Sequence, residues 1–488
     1  MPNWRITARL LLLTLGALAV HGYHPYAEDA EIYLPGVEKI LHPELFPVHS
    51  EFFQTQGNLT LFARLIAASV RLSHLQFDYV LFIWHLLSIF LLLLAAWELA
   101  SRFFQTATAR WGAVTLLAAL LTLPLAGTAL YILDQYVNPR NLAAFAGLFA
   151  VLRTIEEKLV RAGLWLAFAI VIHPLMVWFS LSFCLLWLVM VKFENDPRVA
   201  SRTLTAAVLF LPNIFYPTSP AYHEAIHFHE NHYLLQWQWY EWLGVIAPPF
   251  IFWGLARVAR NRRMNDVARA CRALIIYDLV YFAAALVISI PQRLEDLARL
   301  QPLRSLLLLY VMLIIIGGGF AAEYILKGRI WHWLILFAPL CAGMFLAQRS
   351  LFPASDHIEW PWAKPRNQWE QAFLWIRQNT PNDAVFAIDP VYIRIPGEDT
   401  VAFRPVAERA SIADGYKDSG TVSMFPPLAN LWWEQFQAEK NWTKFSAADF
   451  LKLRDRYGVN WVVLQAPGIA GLSCPFRNSA VMACRVGR

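Results

Sequence analysis

Three carboxylates crowd into four positions near the start of the chain, in His24-Pro25-Tyr26-Ala27-Glu28-Asp29-Ala30-Glu31-Ile32-Tyr33. The run directly follows an apolar stretch at 6–20 that is preceded by Arg5. Carboxylates beside an apolar segment lose hydration and repel one another, which raises a pKa toward the working range of a general base. The same residues also fit a solvated acidic loop at a membrane surface. Farther on, Arg140 stands in Asn138-Pro139-Arg140-Asn141. Its guanidinium fork matches phosphate oxygens, or else snorkels to the membrane interface. His173 interrupts an apolar run, and an ionisable residue there is a functional candidate by default. The alternative is a hydrogen-bonded turn residue.

A second constellation points to different chemistry. His223-Glu224-Ala225-Ile226-His227 matches H-E-x-x-H, with His229, Glu230 and His232 close behind. On a helix the two histidines face one way and can bind zinc, with Glu224 as base. That reading is a membrane metalloprotease. No third ligand stands at a familiar spacing, and Pro220 and the aromatic run at 233–242 favour a polar loop lining a substrate cleft. Glu98 and Asp278 are further acids in or beside apolar segments. They do not form the series expected of an ion pathway, so a transporter is the third reading.

These residues need elements to position them, and composition says which kind. Of 488 residues, 58% are hydrophobic and only 16% charged. A soluble domain usually carries about 25% charge, so the chain has too little polar surface to cover a water-soluble body. The 21 Trp suit a membrane interface. The net charge of +6 belongs to loops of a membrane protein, no nucleic-acid module is recognisable, and no nucleic-acid partner is expected.

Taking roughly 20 apolar residues per span, with shorter pieces allowed, the pattern predicts about eleven spans. They fall near 6–20, 78–98, 111–132, 141–152, 163–191 as two short helices, 203–216, 241–257, 273–290, 305–326 and 330–348. The first also resembles a signal peptide, since Ala17-Leu18-Ala19 looks like a cleavage site. Splitting 163–191 rests on two arguments. A single helix would be about 42 Å long, too long for a bilayer of about 30 Å, and Pro174 breaks the hydrogen-bond ladder. The split also satisfies the positive-inside rule. It groups Arg102, Arg110, Arg153, Lys158, Arg161, Lys192, Arg198, Arg202 and the arginines of 257–272 on the cytoplasmic side. Arg140, Arg293, Arg299 and Arg304 then lie outside.

The helical part is thus expected over 1–348, with an acidic, polar first outer loop at 23–77. Residues 349–365 are a Pro- and Trp-rich linker. An extracytoplasmic α/β domain is expected over 366–488, from an amphipathic helix at 368–379, strand-like runs at 384–388 and 461–464, a helix near 447–457 and a last run at 480–486. Cys184, Cys271 and Cys341 lie in or beside apolar segments and read as small hydrophobes. Cys474 and Cys484 lie in the polar tail, where an oxidising compartment would allow a disulfide; two free thiols are the alternative.

A short first helix, an acidic motif with D-x-x-x-Y spacing (Asp29, Tyr33), many spans and a soluble tail resemble the GT-C superfamily of polytopic membrane glycosyltransferases. Trp375-Ile376-Arg377-Gln378-Asn379-Thr380-Pro381 resembles the tail of bacterial members of that superfamily, with Phe403-Arg404-Pro405 and Arg409 downstream. The resemblance implies transfer of a sugar from a polyprenyl-phosphate carrier outside the cytoplasmic membrane. It implies a catalytic or metal-binding Asp29 in the first outer loop, assisted by Glu28 and Glu31. Arg140, His173, Tyr33 and His24 are then the candidate substrate-binding residues, a divalent metal ion the candidate cofactor, and the lipid-linked donor and membrane lipids the partners. The sequence has Glu28-Asp29-Ala30-Glu31 where better-known branches have an adjacent Asp-Glu pair, so the division of roles among the carboxylates stays open.

Overall fold

The computed structural model describes residues 4–195, 219–290, 292–399 and 401–487. The span expected at 203–216, with Arg198 and Arg202 before it, lies outside the described residues, as does the side chain of Arg293.

Among the described residues, seven helices are long and apolar enough to cross a membrane. The helical part contains α1 (Trp4–His21), α5 (Phe77–Phe103), α6 (Ala107–Ala119), α7 (Pro139–Ile155), α8 (Leu159–Ile172) and α9 (Pro174–Asn195). It continues through α11 (Trp239–Asn261), α12 (Asn265–Ser289), α13 (Leu306–Ala321) and α14 (Ile330–Leu351). Outward faces are apolar: Phe250, Leu279, Ile330 and Ile335 are exposed, and α14 buries only Gln348. Such surfaces suit lipid. Close crossings use small residues. A Cβ on Gly112 of α6 would lie 2.8 Å from the Gly318 carbonyl of α13, so only glycine lets these helices touch there.

Two local signals set the helix ends that matter. Asn138 caps α7 by accepting from the Asn141 amide at 2.9 Å, with Pro139 in the first turn. His173-Pro174 breaks the long apolar run, ending α8 and starting α9 as the sequence predicts. The expected span at 111–132 is corrected. α6 stops at Ala119, and residues 120–138 form a buried irregular segment in which Leu125 donates to the Leu130 carbonyl at 2.8 Å. Pro124 cannot continue a helix, and irregular backbone at this depth is tolerated where it lines a cavity. The stretch at 23–77 is also more ordered than a loop. It contains α2 (Ala30–Leu41), α3 (Glu51–Leu59) and α4 (Phe62–Ser73).

A helix α10 (Pro220–His227) precedes α11. The C-terminal α/β domain has α15 (Gln368–Asn379), α16 (Phe403–Ala407), α17 (Lys417–Met424), α18 (Ala429–Glu439) and α19 (Ala447–Tyr457). They pack around a sheet of order β2-β1-β3-β5-β4, made of β1 (Val385–Ile388), β2 (Ala410–Ser411), β3 (Trp461–Gln465), β4 (Ser473–Arg477) and β5 (Val481–Arg485). β1 runs parallel to β2 and β3, whereas β3–β5 and β5–β4 are antiparallel. Cys474 and Cys484 form the expected disulfide, with Cα atoms 3.9 Å apart, closer than the usual 4.4–6.8 Å. The bridge joins adjacent strands beside a bulge rather than closing a free loop.

The domain is tied to the first outer segment by backbone. Tyr23 pairs with Ile358 and Ala27 with Val401, and the Ala402 amide donates to the Tyr26 carbonyl at 2.7 Å. The chain is a multi-pass helical membrane protein whose C-terminal α/β domain is seated on its first loop.

Candidate functional site

Asp29 occupies the N-cap position of α2, and Glu28 before it has φ of +53°. That left-handed conformation costs on the order of 1 kcal/mol for a residue with a Cβ. It turns Glu28 so that both carboxylates reach one ammonium, that of Lys417. Lys417 Nζ is 3.0 Å from Asp29 Oδ1 and also donates to Glu28. The other Asp29 oxygen faces Arg140, 3.6 Å away. Arg140 in turn holds Asp134 through Nη2 at 2.7 Å and Nε at 3.1 Å. The result is a ladder of alternating charge: Glu28, Lys417, Asp29, Arg140, Asp134. Burial alone would raise the Asp29 pKa, but Lys417 and Arg140 outweigh it and hold the carboxyl well below its usual range.

Lys417 is placed by its own loop, Asp414-Gly415-Tyr416-Lys417-Asp418. Asp414 accepts from the Tyr416 amide at 2.7 Å and from the Lys417 amide. Gly415 is required there because a Cβ would come within 2.7 Å of the Pro390 carbonyl. Asp418 binds Arg404 with both oxygens, at 2.9 and 2.6 Å.

The ladder lies along a cavity of about 710 Å³ between the helical part and the α/β domain. Asp29, Glu28, Tyr33, Arg140 and His173 all line it, so the structure gathers these five sequence candidates in one place. His173 is buried at the α8–α9 break, where its Nδ1 faces the Met176 amide at 3.4 Å. Tyr33 packs edge-on against Phe62.

Four other candidates are not part of the lining. Glu31 points toward the α/β domain, 3.4 Å from Arg404 and accepting from its amide at 3.0 Å. His24 is buried behind the cavity wall, stacked on Phe352 at 3.7 Å and 3.5 Å from Glu359. His223 and His227 share a face of α10 as their spacing predicts, with ring centroids 4.4 Å apart. His227 stacks on Tyr233, and His223 and Glu224 are exposed.

Sequence reasoning overlooked Lys417 and Asp134, and took Arg304 only as an outer-loop basic residue; His229 and His232, noted beside the H-E-x-x-H motif in a loop read as lining a substrate cleft, do line the cavity. His229 donates to or accepts from Ser419 Oγ at 3.1 Å. Burial, with Lys417 and Arg394 nearby, pushes its imidazole down to about 3, so it is neutral at ordinary pH. Arg304 lines the cavity and, unlike Arg140, forms no ion pair among the described residues. It also caps a narrow apolar crevice between α7, α9 and α13, lined by Ala143, Leu148, Met176, Phe179, Leu307 and Val311.

A divalent cation, implied by the resemblance, does not fit the residues present. The Lys417 ammonium already lies between the two carboxylates that would bind it. Among the described residues no three His, Cys, Asp or Glu side chains converge on a metal-sized site, which also leaves the His223–His227 pair without a third ligand.

No family model matches this sequence, and a search of curated proteins gives no match. Among solved structures the chain is similar to the archaeal oligosaccharyltransferase AglB from Archaeoglobus fulgidus, in complex with an inhibitory peptide and a dolichol-phosphate. The TM-score is 0.48 with 12% sequence identity, over 95% of this chain and 69% of that one. A likeness this distant assigns no residue a role.

Proposed function

We propose that the protein is a membrane glycosyltransferase that takes a sugar from a polyprenyl-phosphate donor and passes it to an acceptor at the outer face of the cytoplasmic membrane. The supporting observation is the place of Arg304, which lines the same cavity as Asp29 and forms no ion pair among the described residues. A lipid phosphate suits such a place: its anion is one that a guanidinium recognises, and a sugar attached to it would reach into the cavity. Asp29 then lies in the chamber that holds the sugar.

In the reaction the bond between the anomeric carbon and the phosphate oxygen breaks, and its electron pair leaves with the phosphate beside Arg304. The acceptor oxygen bonds to the anomeric carbon, and its proton passes toward Asp29. The fixed carboxylate also stabilises positive charge developing on the sugar. Glu31, held by Arg404, links the loop to the α/β domain rather than meeting substrate. The protease reading is not favoured: the H-E-x-x-H face is outside the cavity, and no third ligand joins it among the described residues.

Two variants test the reading. In lipid nanodiscs, the protein should bind undecaprenyl phosphate about tenfold or more tighter than undecaprenol, and Arg304→Ala should erase that preference. Across a panel of polyprenyl-phosphate sugars, Asp29→Asn should keep lipid binding while reducing release of polyprenyl phosphate by about 10²-fold. A phosphate preference that survives Arg304→Ala, or full turnover by Asp29→Asn, would overturn the assignment.

A further inference from the structure

The Glu28–Asp29 pair is where a divalent cation would be sought, because two carboxylates from one turn open into one cavity. Its geometry is that of an occupied site. Lys417 Nζ bridges the pair, 3.0 Å from Asp29 Oδ1 and in contact with Glu28, and Arg140 takes the remaining Asp29 oxygen. The ammonium is not a passing surface contact: the Lys417 side chain is only 5% exposed. Its backbone is pinned by Asp414, and the next residue, Asp418, is locked to the buried Arg404. A magnesium or manganese ion needs oxygens at about 2.0–2.2 Å in near-octahedral array. Binding Asp29 and Glu28 that closely would place the ion against both Lys417 and Arg140, in a partly desolvated pocket where like charges repel strongly.

We infer that Lys417 is the resident counter-cation of the Glu28–Asp29 pair and that this site works without a divalent metal. Lys417 comes from the α/β domain, 388 positions after Asp29. The domain therefore completes the site, supplying the charge that fixes Asp29 in place. Lys417 is a positioning residue acting through Asp29. An ammonium suits this task, being a compact point charge that two carboxylates can share, whereas a guanidinium fork has a larger, planar footprint.

The inference deepens the transferase reading of the same site, and its test measures metal binding alone, so either can fail without the other. Full-length protein, stripped of metal and held in nanodiscs, is titrated with Mn²⁺, and the free ion is followed by electron paramagnetic resonance. Binding by the wild type should be unchanged by Asp29→Asn, because the pair holds no ion. Lys417→Ala should gain a Mn²⁺ site at least about tenfold tighter than any in the wild type, and the Lys417→Ala/Asp29→Asn double variant should lose it. Lys417→Arg, which keeps the charge, should gain none. The inference is wrong if the wild type binds a Mn²⁺ ion that Asp29→Asn removes. It is equally wrong if Lys417→Ala binds no more Mn²⁺ than the wild type. Should Lys417→Ala not fold, the comparison of wild type with Asp29→Asn and of both with Lys417→Gln decides in the same way.

Discussion

Glu31 offers a sharp stability test, because the structure gives it an expensive environment. Arg404 is fully buried and its guanidinium is already neutralised by the bidentate Asp418. Glu31 is the second carboxylate on that one cation, and Asp414 is close by. Burial, only partly opposed by Arg404 and reinforced by Asp414 and Asp418, pushes its pKa up to about 8 from 4.5. An acid whose folded pKa lies above its unfolded value contributes fully at pH below the unfolded value, and that contribution is lost as pH rises through the folded one. The protein should therefore lose stability between about pH 4.5 and pH 8. Each tenfold change in proton affinity is worth about 1.4 kcal/mol, so the rise caps the effect at roughly 5 kcal/mol. Local relaxation and water entry should bring it nearer to about 2–3 kcal/mol. Glu31→Gln keeps the shape and stays neutral. Near pH 5 it should match the wild type, and near pH 8.5 it should be the more stable by about that amount. Thermal unfolding followed by tryptophan fluorescence in detergent, from pH 5 to 9, measures the difference. Asp414, raised to about 7, leaves the variant some pH dependence of the same sign. If Glu31→Gln falls with pH as steeply as the wild type, or is the less stable at pH 8.5, then Glu31 is an ordinary charged salt-bridge partner and the reasoning fails.

Two further expectations concern architecture. Cys484→Ser should lower the stability of the α/β domain by about 2–3 kcal/mol, the usual scale for a loop of this length, read as an earlier proteolytic cleavage of the domain; an unchanged cleavage midpoint would contradict it. Lys452 is 77% exposed on α19, so a cysteine there, with one at exposed Arg262 in the turn between α11 and α12 as the opposite reference, reports sidedness: a membrane-impermeant maleimide should reach position 452 from outside and not position 262, and the reverse pattern would invert the proposed topology.

Much of the helical part could be read from the sequence because lipid imposes a simple length rule and proline an unambiguous break. His173-Pro174 is the best example: the break between α8 and α9 followed from chain length and the proline, and His173 there lines the cavity. The same rule misread 111–132, since a hydropathy window cannot distinguish a lipid-facing helix from an apolar segment buried against a cavity. Within the acidic motif, position in sequence was a poor guide to position in space. Glu28 and Asp29 share one ammonium because of a left-handed turn, whereas Glu31, one helical half-turn on, faces the opposite way. Arg140 was the expected phosphate ligand, but Asp134, six residues earlier and unremarked, had already engaged it. Lys417 was the deepest omission. Pairing across 388 positions leaves no local pattern, and Asp-Gly-Tyr-Lys-Asp reads as a solvated turn.

The charge ladder also bears on what Asp29 can do. A general base works best with a pKa near the operating pH, and a carboxylate held low by Lys417 and Arg140 is a weak one. That is a poor match for activating water in peptide hydrolysis, where a strong nucleophile must be made before any bond breaks. It is a better match for glycosyl transfer, in which the bond to phosphate loosens first and positive charge grows on the sugar. The attacking hydroxyl then becomes acidic only as it bonds, and a fixed anion that orients it and accepts its proton late is sufficient. The two cations that weaken Asp29 as a base are what keep it ionised in a partly desolvated chamber, where an isolated carboxylate would take up a proton and lose its charge.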